Sequence, residues 1–98
     1  MKIKNITGTS DAKCLCDSWL KHWENFSGRT TKYCIVKDCL EKELVGAHVQ
    51  KAEGNNESWY ILPICNKHNQ SKDVLEVSDA WKLVSANKKE TCDKPTKP

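Results

Sequence analysis

Cys65 and His68 stand three residues apart in Ile64-Cys65-Asn66-Lys67-His68-Asn69-Gln70-Ser71-Lys72. A thiolate and an imidazole at that spacing share one turn of a helix and can grip an ion from one side, so they require a second pair. Upstream, Cys34 and Cys39 flank Ile35-Val36-Lys37-Asp38, a short turn of the kind that presents two thiolates from a knuckle. Cys34, Cys39, Cys65 and His68 would complete a tetrahedral Cys3His set for structural zinc. His48, in Gly46-Ala47-His48-Val49 between the two pairs, is left over.

The order of these residues carries a resemblance. A Cys pair, a strand ending in a histidine, a loop and a second ligand pair at the start of a helix is similar to the zinc-containing HNH endonucleases, whose ββα-metal core is a treble clef. The similarity covers about residues 33 to 72. Asn69 matches the family's last position; Ala47 stands where an acidic residue often precedes the histidine, and Tyr60 where the family has its middle Asn. The resemblance implies a structural zinc remote from the reaction, because four protein ligands leave no open position for water. It further implies His48 as the general base in phosphodiester cleavage. Asn69, with Asn66 or a loop carboxylate such as Glu53 or Glu57, would hold Mg2+ or another divalent ion, and Lys72 would neutralise the phosphate. The competing reading keeps the fold without the chemistry: a zinc module that binds protein or nucleic acid, with His48 a hydrogen-bonded support.

These residues need elements to position them, and the expected architecture is a small α+β zinc domain. It has a β-hairpin and a ligand helix in treble-clef order, flanked by N- and C-terminal helices. Leu15, Trp19, Trp23 and Phe26 recur at helical spacing, with Ser10 or Asp11 to cap the helix and Gly28 to stop it, so their stripe should face the core. Thr31 to Val36 reads as a strand into the knuckle, and Lys42 to Gln50 as its hairpin partner, with His48 on the more polar, exposed side. Lys51 to Glu57 reads as an exposed loop, and Trp59 to Ile64 as an extended segment that Pro63 makes an unpaired or edge position before the ligand helix. Ser78 should cap a helix to about Ser85, with Val77, Trp81 and Val84 on one face beside Trp19 and Trp23. The domain is expected over residues 10 to 86, after a loose lead-in at 1–9 and before a polar, proline-broken tail at 87–98.

Ninety-eight residues make one domain, which buries only roughly 60 to 70% of its unfolded surface, so a structural metal would supply what the core lacks. Six cysteines would suit a disulfide scaffold, but Met1 opens onto Lys-Ile-Lys-Asn with no apolar run, so zinc in a cytoplasmic protein is the expectation. On the same ground the four Asn-x-Ser/Thr triplets, at Asn5, Asn25, Asn56 and Asn69, read as chance. Cys14, Cys16, His22 and Cys92 could build a second zinc site, although free or buried thiols are the expected role of these cysteines. Cys14-x-Cys16 lacks the spacing of thiol oxidoreductases. No stretch approaches the ~20 apolar residues of a membrane span. Sixteen Lys and Arg against thirteen Asp and Glu leave +3, shared between both halves, and Arg29 is the only arginine. That balance fits DNA or RNA contact without sequence specificity, since the guanidinium forks that read guanine are missing. A monomer is assumed.

Overall fold

Strand Leu44–Lys51 sends alternate side chains to two sheet faces, and both faces are covered. The computed structural model describes residues 1–6, 18–54 and 58–86. In chain order the elements are β1 (Lys2–Asn5), α1 (Trp19–Ser27), β2 (Leu44–Lys51), β3 (Tyr60–Cys65), α2 (Asn66–Asn69), β4 (Leu75–Glu76) and β5 (Val84–Ser85). The strands form one sheet in the order β4-β1-β2-β3-β5, antiparallel at every pairing, so the molecule is a small α+β domain.

One face, bearing Gly46 and His48 from β2 with Ile61 and Pro63 opposite them on β3, carries α1. Gly46 lets the helix in: a Cβ there would fall on the backbone of Trp19 and Leu20. The helix begins at Ser18, whose side chain accepts from the Lys21 N–H, and ends at Gly28, whose φ of 72° suits a left-handed stop. The cap is therefore Ser18, where Ser10 or Asp11 was expected, and Leu15 lies outside the described residues. The stripe also turns. His22 and Trp23 are fully buried, while Phe26 is exposed, because the helix rests on β2 and β3 through Trp19 and its next turn.

The opposite face carries Ile3, Val49, Leu62, Ile64 and Leu75, all buried. Here the sheet curls. The Ile35 N–H donates to Pro63 O on the outer edge of β3, and two residues later the Lys37 N–H donates to Glu76 O on the outer edge of β4. Two residues span at most about 7 Å, so the sheet's two outer edges must approach each other. Pro63 fits inside β3 for the same reason. Its carbonyl, and with it the position of its missing N–H, faces that outer edge rather than β2.

Three expectations give way to tertiary bonding. Residues 2–5, expected as a loose lead-in, form β1 between β2 and β4. Thr31 to Val36 is no strand: its ladder contact is the single Val36–Val77 bridge, and β2 takes β3 as its hairpin partner. The helix expected from Ser78 to Ser85 is absent. Ala80 O accepts from Arg29 Nη1 at 2.9 Å and Lys82 O from Trp23 Nε1 at 3.0 Å, so long-range donors take carbonyls that a helix would have used. Trp81 still packs on Trp23, at 6.0 Å between rings, with the Arg29 guanidinium 4.5 Å above it. No helix among the described residues is long and apolar enough to cross a membrane.

Candidate metal centre

The knuckle is closed by its own backbone. The Cys34 N–H donates to Glu41 O at 2.8 Å and the Cys39 N–H to Val36 O at 3.0 Å. Asp38 makes the turn at φ 64°, a left-handed conformation that Asp tolerates better than most residues. The second pair comes from a strand-to-helix junction: Cys65 is both the last residue of β3 and the cap of α2, whose single turn brings His68 back beside it. His68 Nδ1 lies 3.2 Å from Cys65 Sγ and 3.6 Å from Cys34 Sγ, and Cys39 Sγ lies 3.9 Å from Cys65 Sγ. All four donor atoms fall within 4.8 Å of one another, and among the described residues no other group of three or more His, Cys, Asp or Glu converges in this way. The four residues could hold one metal ion.

The Cys34 thiol is desolvated. Burial pushes the Cys34 thiol up to about 12, opposed by backbone hydrogen bonds at Val36 and Cys65. A thiol so desolvated ionises readily only against a positive charge, which a bound metal supplies. The sheet also holds the site from below. Asn5 Nδ2 donates to His68 O at 2.7 Å and to Ser71 O at 3.0 Å, so β1 clasps the carbonyls at the end of α2. Asn5 Oδ1 is buried and meets no partner among the described residues. Nothing in the sequence marked Asn5 as a clamp. Gly46 had a readable signal, since glycine inside a strand often records a close backbone approach.

The remaining candidates are placed elsewhere. His48 was expected on an exposed position beside the ligand helix. Its side chain is only 8% exposed, with its ring 4.6 Å from Trp19 and 6.3 Å from Trp59. It shares the α1 face with Gly46. Asn5, opposite Val49 in the ladder, leaves the sheet on the other face to reach α2. Lys72 lies exposed beyond the end of α2, which stops after one turn as Asn5 and the Ser71 N–H take the His68 carbonyl. Asn66 is exposed, Glu53 pairs with Lys2 at 3.6 Å, and Glu57 lies outside the described residues.

His22 Nε2 lies 2.9 Å from Ser85 O, and burial holds its pKa down. His48 is lowered as well, first by burial and then by the neighbouring His22. Cys14, Cys16 and Cys92, the other members of the second set, lie outside the described residues. No family model, curated protein or solved structure matches this chain.

Proposed function

We propose that the chain is a zinc-stabilised binding module: a knuckle, a β-hairpin and a ligand turn in treble-clef order, with a metal that is structural. The convergence of Cys34, Cys39, Cys65 and His68 carries this reading. A tetrahedral zinc with bonds of about 2.3 Å to sulfur and about 2.05 Å to nitrogen sets neighbouring donors about 3.8 Å apart for two sulfurs and about 3.5 Å for sulfur and nitrogen. The 3.9 Å sulfur pair and the sulfur–nitrogen distances of 3.2 and 3.6 Å fit that frame. Three thiolates and one imidazole fill the coordination sphere and favour a borderline-soft ion over Mg2+. The covered position of His48 supports binding over catalysis.

A second reading, divalent-ion-dependent phosphodiester cleavage, draws on one observation: His48 is held neutral, as a general base must be. It would need Asn69 and Lys72 to reach the same phosphate as His48. Elemental analysis and a nicking assay on supercoiled plasmid separate the readings. The expected result is one zinc per chain and no cleavage with Mg2+, Mn2+ or Ni2+. Cleavage that His48→Ala abolishes at unchanged zinc content would establish the second.

A further inference from the structure

The four donors of the candidate metal centre stand at different depths. Cys34 and Cys65 are buried, at 4% and 2% exposure, whereas Cys39 and His68 are half-buried. From Lys37 to Glu43 every residue except Cys39 is exposed, and its neighbour Leu40 is 77% exposed. One thiol of the set therefore lies near the surface of the knuckle with two others beneath it. All three are free thiols, and the sulfurs of Cys39 and Cys65 are 3.9 Å apart. A disulfide needs about 2.05 Å, so the pair must close by about 1.9 Å. Cys65 is held as the last residue of β3 and the cap of α2. Cys39 is held by a turn, its N–H donating to Val36 O at 3.0 Å, so the exposed knuckle is the side that can supply the movement.

Thiolate character and exposure decide which cysteine meets an oxidant, and a second cysteine within reach decides whether the product is a disulfide or an irreversible acid. A thiol that coordinates a metal is deprotonated outright, so metal binding would keep Cys39 in its nucleophilic form. Cys39 thus combines the charge and the access, and Cys65 stands where a resolving thiol is needed.

We propose that Cys39 and Cys65 make the metal centre a peroxide-sensitive switch, in which hydrogen peroxide joins the two sulfurs and the site lets its ion go. The inference rests on the structural-zinc reading and names the regulation of that same site. The Cys39 thiolate attacks one peroxide oxygen, the O–O bond breaks and hydroxide leaves, so the sulfur becomes a sulfenic acid and the peroxide takes up the two electrons it lost. The Cys65 thiolate then attacks the Cys39 sulfur; the S–S bond forms as the S–O bond breaks, and a second hydroxide leaves. Two protons from solvent turn both hydroxides into water. Cys34 and His68 remain, two donors where a structural zinc takes four. The elements joined at the site loosen with the loss of the ion, because binding and folding are coupled. A small thiol reverses the step by disulfide exchange.

The test treats the full-length, zinc-loaded chain with hydrogen peroxide while a colorimetric chelator reads free zinc and intact mass is followed. Zinc content is measured beforehand. Zinc should appear together with a mass loss of about 2 Da, the two thiol hydrogens, and dithiothreitol with added zinc should restore the starting state. Cleavage after Lys32, Lys37, Lys42 and Lys51 puts Cys34, Cys39 and Cys65 on separate peptides, so the bridge can be mapped, and it should join residues 39 and 65. Cys39→His keeps four donors without the outer thiol and should hold its zinc through the same treatment; if that variant does not fold, the parent's bridge decides alone. Zinc that stays bound while Cys14, Cys16 or Cys92 is oxidised would overturn the switch. So would a bridge to any cysteine other than this pair, or a Cys39→His variant that loses zinc as fast as the parent. A chain with one zinc that peroxide does not displace defeats this inference and leaves the structural-metal reading standing. A folded chain with no zinc before treatment defeats both.

Discussion

The two buried histidines give the molecule a pH dependence that can be read residue by residue. His22 and His48 are both held below the ordinary histidine value of about 6.5, chiefly by burial, so the folded chain keeps them neutral where the unfolded chain would protonate them. Their contribution is therefore complete above pH ~6.5 and is lost as pH falls through that value toward the lower folded pKa values. The slope is at most about 1.4 kcal/mol per pH unit for each residue. Urea denaturation of zinc-loaded protein between pH ~7.5 and ~5.5, with bound zinc measured at each point, should show stability declining before zinc is released. His22→Gln should make the decline shallower; a stability flat over this range while zinc stays bound would mean that neither histidine is held neutral.

Between elements, the closest approach is that of α1 to β2, and it turns on Gly46. Because a Cβ at 46 would occupy the backbone of Trp19 and Leu20, no rotamer change relieves the overlap and the helix itself must lift. Lifting α1 uncovers His48 and loosens the buried Trp23. Gly46→Ala should thus cost about 1–3 kcal/mol or more, the range for overpacking in a core, and lower the thermal midpoint by several degrees. The same substitution at Gly54, where nothing lies within 4 Å, meets only the strain of its φ of 85°. A Gly46→Ala variant as stable as the parent would show that α1 does not rest on β2 in this way.

At the scale of the whole molecule, the candidate metal site draws together segments that are distant in sequence. The ligands come from the knuckle, the end of β3 and α2, and Asn5 ties α2 to β1. Chelation should therefore release more than a local loop. Structural zinc is worth on the order of 10 kcal/mol of apparent folding free energy, comparable to the stability of a domain this size. We expect the near-ultraviolet signal of the tryptophans and the far-ultraviolet signal of the sheet to be lost together as zinc is withdrawn. A metal-free chain that still melts cooperatively would contradict this. The donor set of Cys34, Cys39, Cys65 and His68 was legible because ligand chemistry admits few residue types and the spacings 34/39 and 65/68 are local. The amphipathic α1 and the apolar run of β3 were legible from periodicity and composition. The partners were not. Lys2–Asn5 becomes a strand only because β2 and β4 offer it ladders from far along the chain, and residues 78–85 forgo a helix because Trp23 and Arg29 claim their carbonyls. Alternation alone put His48 on the face opposite Val45 and Val49, but which face receives a helix is decided by long-range packing. That packing put α1 over the imidazole.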